Sequence, residues 1–147
     1  MIRFQGTETL AVPAATAFAK LGDAGWLAHA LPDAEITSAA PDAAGWRVKP
    51  KFAFMAGVLD TTATVAGRDP DRAVRYTVVS TGVGSRSTVR ATLTFAPAAG
   101  GCTVEWVADV TELGGLLKLA PRGLIQAAAH AVIKEVWAAV GAKLAAG

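Results

Sequence analysis

Alternation dominates the middle of the chain. Trp46, Val48, Pro50, Phe52 and Phe54 fall on one side of a run whose other side carries Arg47, Lys49 and Lys51. That is the period of a strand with one face buried and one in water. Pro50 has no N–H to donate and suits an edge or a bulge. The same period puts Phe4, Gly6, Glu8, Leu10 and Val12 together within 2–12, and Leu59, Thr61, Ala63 and Val65 within 58–68. It groups Val74, Tyr76 and Val78 in 73–81, Val89, Ala91, Leu93 and Phe95 in 86–95, and Val104, Trp106, Ala108 and Val110 in 102–110. A weaker strand covers 34–39. Turn chemistry separates these runs at 41–45, Asp69-Pro70-Asp71, 82–84 and 97–101.

Two segments leave this period. After Pro13 a short helix is expected over 14–20, stopped by Gly22 and Gly25, and a second over 26–30 that ends before Pro32. Residues 114–145 are rich in Ala and Leu and read as a helix roughly 40 Å long. Pro121 either starts its main part or kinks it. The order is one strand, two short helices, six strands and one long helix. It describes a single α+β domain over 1–147. A twisted, curved antiparallel seven-stranded sheet closes around the long helix on its concave side.

Composition narrows the classes. The chain has 147 residues, 52% hydrophobic and 18% charged, enough apolar surface for one core and too much for a disordered chain. A net charge of +2 gives no electrostatic footprint for nucleic acid. Arg47, Lys49, Lys51, Arg86 and Arg90 read as a solvated sheet face. The lone Cys102 excludes an internal disulfide and fits a reducing cytoplasm. No basic leader precedes an apolar run, and Lys118, Arg122 and Lys134 interrupt the most apolar part. The expectation is a cytoplasmic, soluble domain with room for a peripheral contact at the inner face of a membrane.

The chemical inventory is thin. His29 and His130 have no partners at metal-ligand spacing, so neither a metal site nor a catalytic constellation is expected. Cys102 reads as a small buried residue. Gly82-Val83-Gly84-Ser85 lacks the ending of a phosphate loop. What remains is an apolar interior. Trp46, Phe52, Phe54, Leu59, Val89, Leu93 and Trp106 should line the sheet, with Leu117, Leu124 and Ala128 opposite on one helix face. Thr61 and Tyr76 could orient a ligand; Glu8 and Glu135 are further polar residues able to face inward. Alanines at 120, 127, 128 and 131 keep the helix shallow, which leaves volume. Trp26, Leu27, His29 and Leu31 would border the mouth. The stretch from Leu113 to Arg122, Leu-rich with Lys118 and Arg122 beside it, is the place for a portal or a membrane touch.

Val12-Pro13-Ala14 and Asp69-Pro70-Asp71-Arg72, set in this order of elements, resemble the START-like polyketide cyclase and lipid-transfer (SRPBCC) superfamily, whose fold is the helix-grip. Leu31-Pro32-Asp33-Ala34-Glu35, Gly101-Cys102-Thr103-Val104-Glu105-Trp106 and Gly114-Gly115-Leu116-Leu117-Lys118-Leu119 are similar to the carbon monoxide dehydrogenase G-subunit family within it. The chain departs from that family at Asp33, where Gly is frequent, at Phe54-Met55-Ala56-Gly57-Val58, where Gly-Pro is usual, and at Pro121. Many relatives also continue beyond the position of Gly147. The resemblance implies a cavity for a lipid-like or quinone-like molecule and no covalent cofactor. For the narrower family it implies an accessory place beside a molybdenum carbon monoxide dehydrogenase, in membrane recruitment or quinone handling. The superfamily also holds cyclases and dehydratases, for which Tyr76, Glu8 and His29 are the available acid–base groups. A structural assembly factor with a filled core is a third reading.

Overall fold

The computed structural model describes residues 2–49, 57–82 and 84–146. The elements run β1 (Ile2–Leu10), α1 (Ala14–Leu21), α2 (Ala24–Ala30), β2 (Glu35–Ala39), β3 (Ala43–Val48), β4 (Leu59–Asp69), β5 (Ala73–Gly82), β6 (Ser85–Ala98), β7 (Gly101–Gly115), α3 (Leu116–Leu119) and α4 (Arg122–Ala145). All seven strands form one antiparallel sheet in the order β1-β7-β6-β5-β4-β3-β2. The first two strands are therefore the two edges, and α1 and α2 carry the chain from one to the other.

The strand faces follow the alternation, and several boundaries move. β1 stops at Leu10, so Val12 lies beyond it. The turn before β3 is shorter than the Gly-containing stretch indicated, because Ala43, Ala44 and Gly45 already pair with β4. Residues 50–56, the far half of the expected strand, lie outside the described residues and take Phe52 and Phe54 with them. Gly25 does not stop a helix: α2 starts at Ala24, capped by the Asp23 carboxylate, which accepts from the Trp26 N–H at 3.0 Å. Pro97 is part of β6, paired near the end of that strand with Cys102. β7 runs on to Gly115, five residues past Val110.

Pro121 settles the long helix. It separates the single turn α3 from the 24 residues of α4, which span about 36 Å. Having no N–H, a proline fits just before a helix and not within one.

The sheet curls where its register shifts, at Ile36/Ser38, Val65/Gly67 and Thr88/Val89. One end of the concave face is packed solid. Leu10, Val74, Leu93, Phe95, Cys102 and Val104 meet Ala17 and Leu21 of α1, Ala24 and Ala28 of α2, and Val140 and Leu144 of α4. A smaller cluster at the other end joins Ile2 and Phe4 of β1 to Ile125. Arg68 fastens α1 to the turn before β3. Its guanidinium donates to the carbonyls of Gly22 (3.0 Å) and Pro41 (2.8 Å) and to Asp42 (2.7 Å).

Candidate functional site

The helix α4 is pinned at two places, by Ile125 near its start and by Val140 and Leu144 near its end. Between them Ala129 and Ile133 still pack toward Phe4 and Trp137 lies beside Trp106, but a gap remains over the middle strands. Ala128, Ala129, Val132, Ile133 and Val136, at helical spacing, look across a gap to the strands. Two alanines on that face keep the wall low.

The gap is a cavity of about 370 Å³. Its sheet wall is built at period 2 from Trp46 and Val48 of β3, Leu59 and Thr61 of β4, Val78 and Ser80 of β5, Val89 of β6, Ala108 and Val110 of β7, and Phe4 of β1. Leu31, Pro32 and Ala34, between α2 and β2, close one side. Lys49 and Glu135 are exposed residues of opposite charge on the rim. Within this apolar wall, the Thr61 Oγ1 and Ser80 Oγ hydroxyls hydrogen-bond each other across the β4–β5 pair at 2.9 Å.

The candidates from the sequence separate on this geometry. Trp46, Leu59, Thr61, Val89 and Ala128 are on the wall together, and Leu31 is on it at the side. Tyr76 is not. It shares the inner face of β5 with Val78 but lies four residues from Ser80, under α1, and its hydroxyl donates to the Leu21 carbonyl at 2.6 Å. Burial pushes that hydroxyl far above the usual tyrosine range, so it stays protonated. Trp106 is also off the wall. Its indole lies over Gly6, where a Cβ would approach Cζ2 to 2.8 Å, and it packs beside Trp137 with ring centroids 6.4 Å apart.

Leu117 and Leu124 are not on the wall. Leu117 is on α3, beyond the Pro121 break, and Leu124, one turn before Ala128 on the same side of α4, is 42% exposed and short of the cavity. Of the alanines singled out for a shallow face, 128 is on the wall with its neighbour Ala129, 127 and 131 are exposed, and 120 lines a separate groove before α4. Trp26, Leu27 and His29 sit with α2 at the packed end. Trp26 lies under the Lys143 ammonium, 4.9 Å from its ring centre. His29 Nδ1 meets the Gly25 carbonyl at 2.7 Å; a carbonyl only accepts, so Nδ1 carries the proton. Glu8 is half-buried on the inner face of β1, opposite Val104 and away from the cavity.

Residues missed on the wall include Val78, Ser80, Ala108 and Val110, which the strand period already turned inward. Others are Val132, Ile133 and Val136, reached by stepping three and four residues from Ile125. His130 is exposed and meets the Phe4 ring edge-on at 5.1 Å. Cys102 is fully buried, and burial raises its thiol pKa. No cluster of ligating side chains able to hold a metal occurs among the described residues.

A second, shallower groove of about 300 Å³ lies at the start of α4. Ile2, Leu113, Leu117, Lys118, Ala120 and Arg122 line it, and Val110 is shared with the cavity. Leu119 beside it is 82% exposed. No helix among the described residues is long and apolar enough to cross a membrane.

Comparison with known proteins places this geometry. The family model described as polyketide cyclase / dehydrase and lipid transport matches residues 1–145. A conserved protein from Geobacillus kaustophilus superposes with a TM-score of 0.84 at 15% identity, over 98% of this chain and 95% of its own. A START superfamily protein from Mycobacterium smegmatis gives 0.69 at 11% identity, over 97% and 96%. A protein from Rhizobium loti gives 0.68 at 14%, over 96% and 95%. No curated protein matches the chain.

Proposed function

The chain belongs to the polyketide cyclase / dehydrase and lipid transport family and has the START-like helix-grip fold, and from that premise we propose that it binds an apolar small molecule between sheet and helix. One observation carries the reading: between its two anchored ends α4 leaves an apolar cavity of about 370 Å³ against the sheet. Its wall is almost wholly apolar, so filling it with water leaves that apolar surface hydrated at a cost of about 25 cal/mol per Å². An apolar occupant removes that cost.

Native mass spectrometry of the purified chain and titration with the neutral fluorophore N-phenyl-1-naphthylamine test this. Saturable one-to-one binding is the expected result. A chain that carries no apolar molecule and binds none overturns it.

The narrower reading is a carrier of a quinone or lipid that serves a molybdenum carbon monoxide dehydrogenase-type enzyme at the membrane. Its support is the likeness of the stretches at 31–35, 101–106 and 114–119, and the exposed Leu119 beside Lys118 near the groove. Co-purification with such an enzyme, and flotation with anionic vesicles that is lost in Leu119→Ser, are its checks. The cyclase or dehydratase reading draws no support from Tyr76, Glu8 and His29, none of which lies on the cavity wall.

A further inference from the structure

The polar pair inside the cavity says what kind of molecule it takes. A hydroxyl offers one donor and two acceptor lone pairs. In the 2.9 Å contact of Thr61 with Ser80 one proton and one lone pair are used, whichever residue donates. The pair keeps one O–H and three lone pairs. Thr61 is 6% exposed, and its cross-strand neighbours on the inner face are Trp46 on one side and Ser80 on the other. The remaining hydrogen-bonding capacity therefore opens onto a space whose other walls are Val78, Val89, Ala108 and the alanines of α4. Buried polar groups find partners, and here the open direction is the cavity.

Charge narrows the partner. The charged residues on the described wall are Lys49 and Glu135, both exposed at the rim and opposite in sign. An ionised head group placed at the hydroxyl pair would lose its hydration without a net counter-charge. A neutral carbonyl or hydroxyl would not.

Resting on the cavity reading above, we propose that Thr61 and Ser80 form the hydrogen-bonding subsite of this cavity, and that the ligand is a neutral, mostly apolar molecule bearing one hydroxyl or carbonyl. In it the oxygen faces the β4–β5 pair and the ring or chain fills the space under Ala128 and Ala129.

Three probes of one ring system test this by calorimetry: naphthalene, 1-naphthol and 1-naphthoate. The wild-type chain is expected to bind 1-naphthol at least as tightly as naphthalene and 1-naphthoate the least. In Ser80→Ala and in Thr61→Val, each checked for unchanged circular dichroism, 1-naphthol should weaken about fivefold. Naphthalene should hold its affinity or gain. Two variants guard against one that fails to fold. Equal losses for naphthol and naphthalene, or no loss for either, overturn the subsite and leave the cavity reading standing. If 1-naphthoate binds best, the neutral-ligand assignment falls. If no probe binds, not even naphthalene, the cavity reading falls and the subsite with it.

Discussion

The two ends of the concave face are built from the same strands and covered by the same helix, yet one is solid and the other hollow. Along β5, Val74 is fully buried while Val78, one period-2 step past Tyr76, lines the cavity. The difference lies in what covers them. Over Val74 the helices α1 and α2 press Ala17, Leu21 and Ala28 into the sheet, and α4 adds Val140 and Leu144. Over Val78 the cover is the middle of α4 and its two alanines. The hollow is a consequence of where the short helices stop.

The sharpest way to break this comparison is to make one change at both ends of the same strand. Val74→Ala should cost about 2–3 kcal/mol, since its surroundings are close-packed and collapse only partly. Val78→Ala should cost about 1 kcal/mol or less, because a side chain that borders open space has fewer contacts to lose. Denaturant unfolding of the two variants reads the difference, and equal losses would mean that the hollow end is packed like the other. The converse change adds volume. Ala17→Leu, at a fully buried position, should destabilise by about 1–3 kcal/mol. Ala128→Leu should change stability by less than about 0.5 kcal/mol, since the added carbons enter the cavity. It should also weaken N-phenyl-1-naphthylamine binding about tenfold. Similar stability losses in both would argue that the gap under α4 is not accessible volume.

The comparison also marks how far the sequence could be read. Period-2 alternation depends only on neighbours along the chain, so the inner faces of the strands and the antiparallel curled sheet were legible. Depth was not. Tyr76 and Val78 carry the same signal, and only the placement of α1 by the Tyr76–Leu21 bond and the Arg68 clasp separates their fates. Ser80 stands two residues beyond Val78 and was within reach of the pattern, but a serine gives no hydrophobic signal to follow. On the helix, counting from Leu117 through Leu124 ran across Pro121, where the chain turns out of helix. Counting from Ile125 gives the true face at 128, 129, 132, 133 and 136. Trp106 fails for another reason: its place is set by Gly6, a residue without a side chain on an edge strand far away in sequence.

A single hydroxyl isolates the contact that closes the packed end. Tyr76→Phe keeps the ring and removes the O–H, leaving the buried Leu21 carbonyl without that donor, at a cost of about 1–2 kcal/mol near neutral pH. The same bond predicts an alkaline signature. An unfolded tyrosine loses its proton near pH 10, whereas burial holds the folded Tyr76 hydroxyl well above that. Below about pH 10 both states keep the proton and the bond contributes in full. Above it the unfolded state alone ionises, so stability falls as pH rises. Wild-type stability should therefore drop more steeply than that of Tyr76→Phe above about pH 10. Because Tyr76 is the sole tyrosine of the chain, phenolate absorbance reports on it alone and should appear only as the chain unfolds. Ionisation near pH 10 in the folded protein would place this ring in a solvated space. The solid end of the sheet would then have to be redrawn as part of the hollow one.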